Sequence, residues 1–138
     1  MDTLIPDTVT FRESPGGGRV FCIYDAKYYV PTPSGKMRKQ PGLESVTKQL
    51  LYQSAYRKFV KDHGFVRVIN AFLVPSCDGE LKLIARVSFP EVMGVEEPPF
   101  SNYVDMWAVP AAEIFDAYLD GRELDAKDWN VLWCRQHR

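Results

Sequence analysis

The sequence predicts an α/β domain with a central mixed β-sheet flanked by helices, and three observations carry that expectation. Short apolar, β-branched runs recur between clusters of glycine and proline, the pattern of strands joined by turns. Residues 43–63 have helical rather than alternating periodicity, and a shorter helical stretch follows Pro110. The chain is 138 residues long, enough for one domain with its own core, and no linker divides it in two.

Residues 5–11 read as a short strand, Ser14-Pro15-Gly16-Gly17-Gly18 as a turn, and residues 19–29 as a second strand, so the opening of the chain predicts a β-hairpin. Residues 30–42 contain Pro31, Pro33, Gly35, Pro41 and Gly42 and read as a loop. Over 43–63, Val46, Leu50, Gln53, Tyr56 and Val60 recur at steps of three and four and predict one helix, capped by Ser45 and ended by Gly64. Residues 65–74 and 81–89 read as strands about the turn Pro75-Ser76-Cys77-Asp78-Gly79, and residues 90–102, with three prolines, as a loop. Residues 103–109 read as a last strand. Pro110 then stands at the first position of a helix closed by Gly121, with Ile114, Phe115, Tyr118 and Leu119 as its apolar face. The tail, with Trp129, Leu132 and Trp133, is expected to pack on the body or to form a partner patch.

Composition narrows the function classes. With 46% hydrophobic and 25% charged residues the chain is neither disordered nor a coiled-coil rod. Seventeen basic against eighteen acidic side chains exclude a uniformly basic nucleic-acid coat. The charge is nevertheless uneven: −2 over residues 1–26, +7 over 27–61 and −6 over 62–138. The positive block consists of Lys27, then Lys36, Arg38 and Lys39 on the expected loop, then Lys48, Arg57, Lys58 and Lys61 on the expected helix. It fits a surface that faces a polyanion, and equally a solvated helix face beside a basic loop. No apolar stretch reaches 18 residues and the N-terminus has no signal-peptide pattern, so a cytoplasmic protein with no membrane partner is expected. Cys22, Cys77 and Cys134 are odd in number and far apart, and His63 and His137 form no ligand pair. That predicts free thiols and no zinc site.

The segment Phe21-Cys22-Ile23-Tyr24-Asp25-Ala26-Lys27 carries the chemistry. Side chains alternate along a strand, so Asp25 and Lys27 share one face at the end of an otherwise apolar run. Asp7, after Pro6 at the start of the preceding strand, comes near Asp25 if the two strands pair. Two close carboxylates repel, and a divalent cation with a preference for carboxylate and water oxygens, such as Mg²⁺, relieves the repulsion. A lysine beside it can orient an attacking water, a constellation suited to phosphodiester hydrolysis. The same residue types also admit a purely structural reading, in which Lys27 pairs with an acid and Asp7 caps a turn.

Pro6-Asp7, seventeen intervening residues, and Asp25-Ala26-Lys27 after an apolar strand together resemble the PD-(D/E)xK nuclease superfamily. Ile23 to Tyr29, Val46-Thr47-Lys48-Gln49-Leu50-Leu51-Tyr52-Gln53-Ser54-Ala55-Tyr56 and Asn70-Ala71-Phe72-Leu73-Val74-Pro75 are similar to the LlaJI-type restriction endonucleases, themselves similar to the McrC-like nuclease subunits of McrBC-type systems. The likeness continues more loosely through Phe115 to Gly121. It implies a restriction-endonuclease-like core and a Mg²⁺-dependent DNA endonuclease, with Mn²⁺ as a substitute metal. Asp7, Asp25 and the Ala26 carbonyl would hold the metal, and Lys27 would position water. Gln49 and Gln53 would serve catalysis from the helix, and Tyr56 would touch DNA with Lys36, Arg38, Lys39, Lys48, Arg57, Lys58 and Lys61.

The resemblance also implies double-stranded DNA and a partner NTPase of the AAA+ class. That NTPase would be a separate subunit, because Gly16-Gly17-Gly18 is not followed by the Gly-Lys-Ser/Thr of a phosphate-binding loop. Two departures stand out. The helix that often precedes the first strand is missing, so residues 1–138 are expected to be one nuclease domain, the C-terminal part of a longer protein. Leu50 also occupies a position where McrC-like helices often carry an acid. The alternatives are a non-catalytic DNA-binding or assembly module of the same fold, and an RNA nuclease or toxin with the same metal site.

Overall fold

The computed structural model describes residues 5–28, 42–88 and 98–122. The expected basic loop with Lys36, Arg38 and Lys39, and the tail with Trp129, Leu132 and Trp133, lie outside the described residues.

Five strands and three helices follow one another as β1 (Thr8–Glu13), β2 (Arg19–Ala26), α1 (Leu43–Ala55), α2 (Arg57–Asp62), β3 (Arg67–Ser76), β4 (Lys82–Ser88), β5 (Tyr103–Pro110) and α3 (Ala111–Leu119). They build one mixed sheet in the order β1-β2-β3-β5-β4. The hairpin β1–β2 is antiparallel, β2–β3 and β3–β5 are parallel, and β4 returns antiparallel on β5. The α/β sheet flanked by helices is therefore as the sequence predicts.

Local chemistry accounts for most boundaries. Gly17 and Gly18 adopt φ of 87° and 86°, so the hairpin turn needs residues without a Cβ. At Gly18 a Cβ would lie 2.6 Å from Val66 Cγ1, which lets the turn seat against the start of β3. Gly64 ends the helical region at φ 64°, and Gly121 closes α3 at φ 61°.

Some boundaries differ from expectation. The helix over 43–63 is kinked at Tyr56 (φ −88°, ψ 1°), although Tyr56 N–H still donates to Tyr52 O at 3.1 Å and Val60 N–H to Tyr56 O at 2.9 Å. Its N-cap is Gly42 with no side-chain cap, not Ser45. Pro110 is the N-cap of α3 rather than its first residue. Pro75 lies inside β3, beyond the last β2–β3 pair at Ala26 and Leu73, where one flank of β3 has lost its neighbour and a missing N–H is tolerated.

Alternation divides the core. Phe21 and Ile23 of β2, with Val68 of β3, pack against Tyr52 of α1 and Val60 of α2. Farther along the same face Phe72, Val74, Val104 and Met106 pack against Val46 near the start of α1. Helix α1 therefore runs antiparallel to β2 and β3. Its start lies over the C-terminal ends of those strands, and α2 lies over their N-terminal ends. Val20, Cys22, Tyr24, Ala71 and Trp107 form the core of the opposite face.

Candidate active site

The antiparallel register of the hairpin sets Thr8 opposite Tyr24. One step beyond, where the ladder ends, stand Asp7 and Asp25. Asp7 Oδ2 accepts the backbone N–H of Ala26 at 3.0 Å, which pins the acid to the end of β2. Asp25 pairs with Phe72 across β3, and the N–H of Lys27 donates to Leu73 O at 2.8 Å, so β3 fixes the backbone on both sides of Ala26. Lys27 Nζ lies 2.6 Å from Asp25 Oδ2 and 5.6 Å from the centroid of the Phe72 ring. The structure thus brings Asp7, Asp25 and Lys27 together, on the face of the sheet that α1 covers.

The electrostatics follow from that crowding. Burial pushes the Asp25 carboxyl above its ordinary range; the Lys27 ammonium pulls it down, and the neighbouring Asp7 raises it again. The net direction is upward, with burial as the largest cause. Among the described residues no group of three or more His, Cys, Asp or Glu side chains converges. Two carboxylates with hard oxygen donors nevertheless fit Mg²⁺, which usually keeps several waters and takes only one or two carboxylates besides substrate oxygens. Cys22 is no nucleophile here: burial pushes its thiol up and keeps it protonated.

The remaining expected site residues separate. Gln53, buried on α1, donates from Nε2 to Ser101 O at 2.8 Å and accepts the Ser101 N–H on Oε1 at 3.2 Å, so it clamps the segment before β5. Tyr56 packs its ring 5.1 Å from that of Phe21. Phe21 is four residues before Asp25 on β2, about 13 Å along the strand. Tyr56 is thus packed away from the acid pair, and Gln53 is tied by hydrogen bonds to the segment before β5.

The basic side chains of the helices are also engaged. Lys48 lies 3.5 Å from Glu44, and Lys58 pairs with Asp62. Arg57 and Lys61 stand 5.3 and 5.9 Å from the centroid of the Phe100 ring. Arg57, Lys58 and Lys61 belong to the N-terminal end of the sheet, about 20 Å from Asp25 at the rise of a strand.

Gln49 is different. Its side chain is fully buried, and neither Oε1 nor Nε2 has a hydrogen-bond partner among the described residues. Its backbone carbonyl accepts Asn70 Nδ2 at 2.9 Å, and Asn70 Oδ1 is likewise unpartnered. Left dry, a buried polar atom costs about 1–3 kcal/mol, a large fraction of a typical domain's stability when three such atoms occur together. Asn70 faces Ile23 in the β2–β3 register, two rungs below the Asp25–Phe72 pair and on the same face. Sequence reasoning assigned it no role. The signal was present as a lone amide within the apolar strand Val68-Ile69-Asn70-Ala71-Phe72.

Comparison with known proteins agrees with the geometry. The sequence matches the LlaJI restriction endonuclease family over residues 2–110. It is 31% identical over 134 residues to the type II restriction enzyme BsuMI component YdjA of Bacillus subtilis (strain 168), an alignment covering 91% of this chain and 25% of that protein. The chain thus spans about a quarter of the length of this relative. No solved structure matches it. No described helix is long and apolar enough to cross a membrane. A mixed sheet whose strand ends gather two acids and a lysine, together with a family match over most of its length, shows that this chain belongs to the LlaJI restriction endonuclease family.

Proposed function

We propose that this chain is a Mg²⁺-dependent nuclease domain of a restriction system that hydrolyses phosphodiester bonds of double-stranded DNA. The observation that carries the reading is the convergence of Asp7, Asp25 and Lys27 at the paired ends of β1 and β2. Asp7, Asp25 and the Ala26 carbonyl would hold the ion, which supplies Lewis acidity toward a phosphoryl oxygen and lowers the pKa of water. Lys27 orients the attacking water and stabilises the charge that grows on the phosphate. The water oxygen bonds to phosphorus as the bond to the 3′ oxygen breaks, leaving a 5′-phosphate and a 3′-hydroxyl.

Lys48, Lys58 and Lys61 lie along the exposed side of α1 and α2. About six base pairs of duplex, at ~3.4 Å each, span the distance from Asp25 to α2. Backbone contacts there would add affinity without reading sequence, and would weaken steeply with salt. Recognition and translocation fall to a partner, an AAA+ NTPase in this reading. The superfamily assignment to PD-(D/E)xK nucleases rests on the same three residues and their spacing, and the relation to McrC-like subunits on the likeness of residues 23–29, 46–56 and 70–75.

The test joins activity to metal binding. Supercoiled plasmid is incubated with the parent, Asp25→Ala and Lys27→Ala in Mg²⁺ or Mn²⁺, and Mn²⁺ binding is followed by electron paramagnetic resonance. The parent nicks and binds Mn²⁺; Asp25→Ala loses both; Lys27→Ala loses nicking and retains metal. A parent that binds no Mn²⁺ at millimolar concentration, or variants that nick like the parent, would overturn the reading.

A further inference from the structure

Beneath the acid pair lies a second polar feature that hydrolysis does not use. Gln49 on α1 and Asn70 on β3 are buried to 0% and 2% exposure and face one another across the helix–sheet interface. Asn70 Nδ2 is committed to the Gln49 carbonyl. Three atoms remain unpartnered: Gln49 Oε1, Gln49 Nε2 and Asn70 Oδ1. Exchanging O and N of the Gln49 amide changes nothing, because both positions lack a partner. Exchanging them in Asn70 would set two carbonyl oxygens against each other, so its orientation is fixed.

The unmet capacity is two acceptors and one donor group. A water molecule matches it, giving its two hydrogens to Gln49 Oε1 and Asn70 Oδ1 and accepting one from Gln49 Nε2. Three hydrogen bonds are the usual number for a buried water. An ammonium or a metal ion matches less well, since neither can accept from Nε2. We propose that Gln49 and Asn70 form an internal water site between α1 and the β2–β3 pair, two rungs below Asp25, in which a long-lived water bridges the two amides.

The site has a mechanical consequence. The direct bond from Asn70 to the Gln49 backbone sets the height of α1 over the sheet, and the bridging water sets the side chain that fills the space between them. Together they fix the start of α1 over the strand ends that carry Asp25 and Lys27. The inference stands apart from the nuclease reading, because it needs neither metal nor DNA.

Water-selective NOE and ROE spectra of the intact protein test it, read at the side-chain amide protons of Gln49 and Asn70. The expected result is cross-peaks of both amides to water with the sign of a long-lived, buried molecule. In Gln49→Met, which keeps the bulk and removes both polar atoms, the water signal at Asn70 falls at least about threefold, because the water has lost two of its three partners. Absence of the cross-peaks in the parent, or cross-peaks to a protein proton such as those of the Lys27 amine instead, overturns the proposal. So does an unchanged Asn70 water signal in Gln49→Met. If that variant does not fold, the parent spectrum alone decides.

Discussion

Gln53 is the residue at which the family resemblance and the geometry lead to different expectations, so Gln53→Met is the most informative substitution. Methionine has nearly the same length and volume but cannot bond Ser101. The substitution leaves the Ser101 N–H and carbonyl without the partners they have at 3.2 and 2.8 Å, in a segment that is itself buried. Each such loss costs about 1–3 kcal/mol, so the pair costs about 2–6 kcal/mol. At roughly 3 °C per kcal/mol for a domain of this size, Tm falls by about 6–18 °C. The chemistry should be spared, because the hydrogen bonds of Gln53 to Ser101 hold the segment before β5 rather than Asp25. Circular dichroism gives Tm; nicking or Mn²⁺ affinity, measured well below the variant's Tm, gives the site. The expected result is a large drop in Tm with nicking per folded molecule within about threefold of the parent, which at 1.4 kcal/mol per decade is under about 1 kcal/mol in barrier. A Tm lowered by less than about 2 °C together with abolished nicking would refute the argument and return Gln53 to the reacting groups.

Other substitutions test the electrostatics and the turn. Asp25→Asn removes a carboxyl held above its ordinary value. The sign follows from linkage: what Asp25 contributes to stability is fully present below its unfolded value and is lost as pH rises through its raised folded value. Urea unfolding between about pH 3 and 7 should therefore show the variant gaining on the parent as pH rises, while nicking disappears; a parent that gains on the variant would contradict the crowding of the two acids. Arg86→Met removes from Asp105, at 1% exposure, the guanidinium whose Nε and Nη2 lie 2.6 and 3.0 Å from its two oxygens, and should cost about 1.5–3 kcal/mol in urea unfolding. Gly18→Ala should cost well over about 1 kcal/mol, more than Gly17→Ala, since both have positive φ but only position 18 meets Val66.

What was legible in the sequence depended on which signals are local. The hairpin, the α1 region and the last strand follow from turn glycines and from periodicity. The approach of Asp7 to Asp25 follows from antiparallel pairing alone, with no long-range information needed. Sheet order was beyond reach: that β5 inserts between β3 and β4 is decided by tertiary packing. The helix stripe was also misjudged in part. The stripe Val46, Leu50, Gln53, Tyr56 and Val60 includes Gln53, which is buried, but it omits Gln49, which α1 also buries, and takes in Leu50, which is half-buried. Hydrophobicity cannot find a buried amide; its burial depends on partners elsewhere in the chain, Ser101 for one and Asn70 for the other. For the same reason a shared helix face did not separate the two glutamines, although the structure satisfies one and leaves the other's side chain unpartnered.

The structural and catalytic readings of the Asp7, Asp25 and Lys27 group need not compete. Asp7 does hold a backbone N–H and Lys27 does pair with an acid, which is all a structural role requires. Among the described residues two carboxylates stand beside one ammonium, and burial first, then Asp7, hold the Asp25 carboxyl above its ordinary range against the pull of Lys27. A local excess of one negative charge at the ends of two strands costs stability that a neutral pair would not. Such a cost is expected where a site must accept a cation, because the ion then finds its ligands already gathered and repelling one another. In the proposed function, the Lys27–Asp25 pair would keep the acid and the lysine in place until metal and phosphate redistribute the charge. It also follows that Mn²⁺ should stabilise the parent against heat and fail to stabilise Asp25→Asn. Equal thermal shifts for the two proteins would show that the acid pair is not where the ion goes.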